Sequence, residues 1–177
     1  MFTPADVAET QLGIHEDTGH NDGVPADRYM RGDELAWCAG FVLWCYDISD
    51  VEDLATSTKD YYKMRNVQKF EDEMKRRGLW FGRRFHQYVR RDDVIFYRDR
   101  GSSDKGAGRH VGIVTSEGCR NLFSKIDSVE GNLGDAVKRA THKIDDDRIT
   151  GFARSVAHPP FDFRATAPMA GRTWRLD

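Results

Sequence analysis

Cys38 stands near the head of an unbroken apolar run from Trp37 to Cys45, and far downstream the chain supplies Arg109-His110-Val111-Gly112-Ile113-Val114 and then Glu130-Gly131-Asn132. A thiol, an imidazole, and a carboxylate and an amide two residues apart are the parts of a cysteine nucleophile. The thiolate is the attacking species, and the backbone amides of a helix N-terminus together with a nearby imidazolium lower a thiol pKa. If the apolar run is a helix, Cys38 sits where it begins. Its N–H would then also point at the oxyanion formed on an attacked carbonyl. His110, at the head of a β-rich run, is the candidate base and later acid. Glu130 and Asn132 share one face if 129–132 is extended. Glu130 is the preferred orienting group because a carboxylate stabilises an imidazolium better than a neutral amide does, with Asn132 as the alternative. The chemistry implied is attack on an amide bond through an acyl-enzyme.

Other reactive types read differently. Cys45 lies nearly on the same helix face as Cys38 and reads as a small core residue, and Cys119 falls in a polar turn. Three cysteines with no C-x-x-C pair suggest reduced thiols rather than zinc or a redox motif. His15-Glu16-Asp17-Thr18-Gly19-His20 approaches the zinc-protease pattern, but the second histidine comes one residue late and Gly19 breaks the helix that would align the ligands. Asp17, Asn21, Asp22 and Asp27 lack calcium-loop spacing and read as a solvated turn. No metal and no cofactor is expected. Trp37 and Trp44 are most simply core packing, although Trp37 beside the nucleophile is also a candidate wall of a substrate groove, and Asn21 a candidate at the border of the cleft.

These groups need elements to hold them. Thr3 caps a short helix with Pro4 at its first position and Asp6 completing the capping box, and Gly13 ends it. Residues 17–25 are dense in turn formers and read as a loop. The apolar run is nonpolar on every side, which predicts a helix buried in the middle of a domain. A further helix is predicted from Thr58 to Arg77, with Tyr62, Val67, Phe70 and Met74 on its buried face and Gly78 as its stop. After Gly82 the pattern turns to strands at 94–97, 111–115, 126–129, 137–144 and 149–153. Helices first and strands second predict an α+β fold, with the N-terminal helices packed on a C-terminal antiparallel sheet. The Gly- and Ser-rich stretch 99–108 is expected to be a mobile loop beside His110. One catalytic domain over 1–157 and a proline- and arginine-containing tail over 158–177 complete the organisation, without internal repeats.

With 27 basic and 29 acidic side chains, a net charge of −2 and 39% apolar residues, the chain reads as a soluble globular protein with no nucleic-acid signature. The acidic first residues do not resemble a signal peptide, and the stretch from Leu35 to Tyr46 is too short for a membrane span. Synthesis in the cytoplasm is expected.

Taken in order, Ala36-Trp37-Cys38-Ala39-Gly40-Phe41-Val42, Arg91-Asp92-Asp93-Val94-Ile95-Phe96, His110-Val111-Gly112-Ile113-Val114, Glu130-Gly131-Asn132 and Ile149-Thr150-Gly151-Phe152-Ala153-Arg154 resemble the CHAP-type cysteine, histidine-dependent amidohydrolase/peptidase domains over roughly residues 5–154. Asp92 departs from the pattern, since such domains often have glycine before this strand. The resemblance implies a papain-like fold and hydrolysis of bacterial peptidoglycan, at the N-acetylmuramoyl-L-alanine amide or within the stem peptide. Cys38 is then the nucleophile, His110 the base, and Glu130 with Asn132 the polar orienters. It further implies a monomer acting in the periplasm or cell wall after release or delivery. A phage endolysin passed through a holin-type pore is the first expectation, ahead of an injected antibacterial effector with an immunity protein. An intracellular cysteine protease or deamidase would use the same triad, and a catalytically silent binding module would use none of it.

Overall fold

Thr3 begins the chain's regular structure as the sequence predicts. In the computed structural model, which describes residues 2–49, 54, 58–98, 110–117 and 125–155, its hydroxyl accepts from the Asp6 amide at 3.3 Å while Asp6 Oδ2 accepts from the Thr3 amide at 3.0 Å. This capping box opens α1, Pro4–Thr10. The stretch 99–108, Cys119 and the tail 158–177 lie outside the described residues.

Four more helices follow: α2, Val24–Tyr29; α3, Cys38–Ile48; α4, Thr58–Met64; and α5, Val67–Arg76. The loop expected over 17–25 gives way to α2, with Pro25 in its first turn, where a fixed φ and a missing N–H carry no penalty. The single helix expected from Thr58 to Arg77 is two. Asn66 adopts an extended backbone and its side chain accepts from the Lys69 amide at 3.1 Å, so it caps a new helix instead of continuing the old one. The break also moves the buried face: Tyr61 and Met64 are buried, while Tyr62 is 46% exposed. α3 is buried nearly all round, as a helix without a polar face must be.

The strands are β1, Trp80–Gly82; β2, Val94–Tyr97; β3, His110–Val114; β4, Lys125–Glu130; β5, Lys138–Lys143; and β6, Ile149–Ala153, with a 3₁₀ turn over Arg83–Tyr88. They form one six-stranded sheet in the order β1-β6-β2-β3-β4-β5, each neighbour antiparallel. Both faces of its centre are covered, which is why β2 reads as an unbroken apolar run. Val94, Phe96, Val111, Ile113 and Val129 join the helices α1 and α3 in one core, and Ile95, Tyr97, Val114, Ile126 and Phe152 form a second.

Two local devices fix the near edge of β2. Asp92 takes a left-handed backbone, φ 75°, the conformation a glycine would adopt most easily, and its carboxylate accepts from the Ala5 amide at 2.9 Å. The Tyr46 hydroxyl of α3 donates to the Asp92 carbonyl. Next to it, buried Asp93 accepts two 2.7 Å hydrogen bonds from Arg154, joining β2 to the end of β6. Because alternate strands run in opposite directions, the C-terminus of β2, the N-terminus of β3 and the C-terminus of β4 meet at one end of the sheet, carrying Tyr97, His110 and Glu130.

Candidate active site

Cys38 is the first residue of α3 and is 6% exposed. The preceding Trp37 offers no side-chain cap, so the first-turn amides of α3 have no capping side-chain oxygen. Trp37 itself is fully buried, stacked on Tyr29 at 5.5 Å, and its indole N–H donates to Glu16 Oε1 at 2.7 Å. The expected groove wall is therefore a structural anchor that fixes the start of α3 from behind.

Glu16 reaches Trp37 because its segment pairs with the turn after β4: Val137 N–H donates to the Ile14 carbonyl and Glu16 N–H to the Asp135 carbonyl, at 2.8 and 3.0 Å. Glu16 Oε2 accepts from the Asn21 amide at 2.7 Å, and Asn21 Oδ1 accepts from Asn132 Nδ2 at 3.0 Å. This places both asparagines in a brace around Trp37. The extended backbone assumed for 129–132 ends at Glu130, and Asn132 turns into the left-handed region at φ 57°. Asn132 therefore does not share the Glu130 face, and its amide binds Asn21 rather than His110.

Glu130 is the group at His110. Its carboxylate is 1% exposed, and Oε2 accepts from His110 Nε2 at 2.9 Å. Oε1 accepts from Ser128 Oγ at 2.6 Å, His142 Nε2 at 2.7 Å and Tyr97 Oη at 2.9 Å. An ionised carboxylate only accepts, so both imidazoles present Nε2–H to it. That leaves Nδ1 of His110 turned away from Glu130, and Cys38 is among the groups that act on this imidazole. Burial alone would push the His110 imidazole toward neutrality. The hydrogen bonds and charges of Cys38 and Glu130 outweigh it and raise the pKa to about 10. Burial likewise works against the Glu130 charge, but donation from His110, His142 and Ser128 holds its carboxyl far below the usual carboxylate range.

The glycines of the two short motifs create this space. A Cβ on Gly112 would lie 2.6 Å from Cγ of Glu130, so a side chain there would press on the stem that carries the carboxylate. A Cβ on Gly131 would lie 2.6 Å from Cβ of Phe41 and 2.9 Å from the Trp37 ring, so its absence lets the head of α3 lie against the end of β4.

Tyr97, Ser128 and His142 were not singled out from the sequence. Ser128 could have been, since it lies two residues before Glu130 on the same strand face. Tyr97 and His142 come from other strands, and only the register brings them in. Burial pushes the Cys45 thiol well up, in keeping with a core residue. Among the described residues no group of three or more histidines, cysteines and carboxylates could hold a metal ion, and no helix is long and apolar enough to cross a membrane.

A groove of about 420 Å³, lined by Met30, Leu35, Ala36, Tyr62, Arg65 and Val67, opens on Cys38. Chemically the arrangement places a thiol at the end of a cleft, an imidazole able to exchange its proton, and a buried anion behind that imidazole. No family model matches the chain, and neither the curated proteins nor the solved structures include a match.

Proposed function

We propose that this chain is a cysteine amidohydrolase of papain-like architecture that hydrolyses an amide bond of bacterial peptidoglycan, either between the sugar and L-alanine or within the stem peptide. The observation that carries the catalytic reading is His110, bound through Nε2 to buried Glu130, with Cys38, at the head of an uncapped helix, among the groups that raise its pKa. The choice of substrate rests on the resemblance of the motif order to CHAP domains, and the groove beside Cys38 has room for a peptide chain.

In the reaction, the Cys38 proton has already passed to the His110 imidazole, and the thiolate sulfur adds to the scissile carbonyl carbon. The oxyanion is held by the Cys38 N–H. Collapse of this intermediate breaks the C–N bond, and the proton on His110 passes to the leaving amine, leaving a thioester. His110 then draws a proton from water, the hydroxide oxygen adds to the thioester carbon, and collapse releases the carboxylic acid and the thiol. Glu130 keeps the imidazole oriented and stabilises its charged form throughout. Release from a phage-infected cell would bring such an enzyme to its wall substrate.

Incubation with purified sacculi, followed by mass analysis of the released fragments, tests this reading. Intact stem peptides identify amidase action and cut peptides identify endopeptidase action. Sacculi left intact by the wild-type protein refute the wall substrate. Fragment release undiminished by Cys38→Ser refutes the thiol mechanism.

A further inference from the structure

His142 lies on β5, an edge strand whose neighbouring side chains Lys138, Arg139, Thr141 and Lys143 are exposed. Its own ring turns inward, 12% exposed, lies 4.7 Å from the Tyr97 ring, and donates Nε2–H to Glu130 Oε1 at 2.7 Å. We propose that His142 is a positioning residue of the Cys38–His110 pair, locking the Glu130 carboxylate in the orientation that presents Oε2 to His110.

A glutamate side chain has several staggered rotamers, and the carboxylate of Glu130 is aimed by the hydrogen bonds it accepts. Of the three donors on Oε1, the Ser128 and Tyr97 hydroxyls can rotate, and their oxygens lie 3.5 Å apart, within reach of each other. The imidazole N–H is fixed in its ring plane, and that ring packs at a 44° tilt against the Tyr97 ring, 4.7 Å between centroids, and is only 12% exposed. His142 is thus the donor that defines where Oε1 sits, and hence where Oε2 points. The charged and titratable groups facing it are Glu130, Tyr97 and, from the turn before β6, Asp146, which is itself paired with Arg148.

This inference rests on Cys38 and His110 being the reactive pair but not on the identity of the substrate. The probe is iodoacetamide, with alkylation of the Cys38 peptide followed by mass spectrometry from about pH 5 to about pH 9. His142→Ala is expected to slow alkylation near pH 6 by about tenfold and to move the midpoint of the profile up by about one unit, because a loosened Glu130 supports the His110 imidazolium less well. His142→Gln, whose terminal amide can place an N–H near the lost Nε2, should restore the wild-type profile to within about threefold. An alanine variant with the wild-type profile overturns the proposal. So does a glutamine variant that reacts about tenfold more slowly than wild type near pH 6, and this arm stands even if the alanine variant fails to fold. Intact sacculi alongside the expected alkylation pattern would reject the wall substrate and leave the positioning role in place.

Discussion

Replacing Glu130 by glutamine tests the electrostatic core of the site with almost no change of shape. The amide supplies one accepting oxygen where the carboxylate has two, and it turns an N–H₂ toward groups that are themselves donors. The carboxylate's charge is also lost from a position that is 1% exposed. The rise of the His110 pKa from 6.5 to about 10 corresponds, at 1.36 kcal/mol per unit, to about 5 kcal/mol of preference for the imidazolium. Cys38 and Glu130 supply that preference together against the cost of burial. A charge-assisted hydrogen bond accounts for about 1.5–3 kcal/mol, so Glu130→Gln should lower the His110 midpoint by roughly one to two units. The assay is a titration of the His110 ring protons by NMR. Stability supplies a second readout with a defined sign. A histidine whose pKa is raised by folding contributes fully below 6.5 and loses its contribution as pH rises toward about 10. A carboxylate whose pKa is depressed contributes above 4.5 and loses its contribution as pH falls into strong acid. The melting-temperature gap between wild type and Glu130→Gln should therefore be widest from 4.5 to 6.5 and close on both sides. An unchanged His110 midpoint, or a gap independent of pH, would refute the assignment of Glu130 as the partner of the imidazolium.

Three further substitutions probe the framework. Gly112→Ala puts a methyl group 2.6 Å from Cγ of Glu130 and 3.2 Å from the Val129 carbonyl, so denaturant unfolding should show a loss of about 1–3 kcal/mol, accompanied by slower Cys38 alkylation as the carboxylate is displaced. Trp37→Phe leaves Glu16 Oε1 without its indole donor and should cost about 1–3 kcal/mol by urea titration, while KM, for wall fragments if the proposed activity holds, stays unchanged because Trp37 is fully buried. A raised KM at unchanged stability would restore Trp37 as a groove residue. Arg154→Leu strands the Asp93 carboxylate in the core, with an expected loss of about 3–5 kcal/mol near neutral pH. Burial already pushes the Asp93 carboxyl up, so the loss should shrink as acid neutralises it, and a loss that grows in acid would contradict the buried-charge account.

What the sequence could show follows the range of the forces involved. Strands β2 and β6 coincide with the predicted 94–97 and 149–153 because a short apolar run bounded by polar residues is a local signal. The capping box at Thr3 and the buried character of α3 are local in the same way. α2 escaped because its six residues follow a stretch of turn formers, and the break at Asn66 escaped because the apolar spacing runs straight through it. The roles of Glu130 and Asn132 could not be separated from spacing alone, since the choice depends on one backbone torsion: at φ 57°, Asn132 leaves the strand and its amide goes to Asn21. His142 and Tyr97 were out of reach for another reason, because a strand's pattern carries its face but not its partner's register.

The two short motifs around His110 and Glu130 are linked by more than their place in the chain. Gly112, from the histidine motif, clears the volume that the Glu130 side chain fills, and Gly131, from the glutamate motif, clears the volume against which Phe41 and Trp37 seat the head of α3. Each glycine is thus explained by a residue from a distant segment. With Gly131 filled, Phe41 and Trp37 at the head of the helix carrying Cys38 would have to move, and with Gly112 filled, the stem of Glu130 would have to shift. The seating of the helix that carries the thiol, and of the carboxylate that holds the imidazole, therefore depends on two absent side chains as directly as on those that are present.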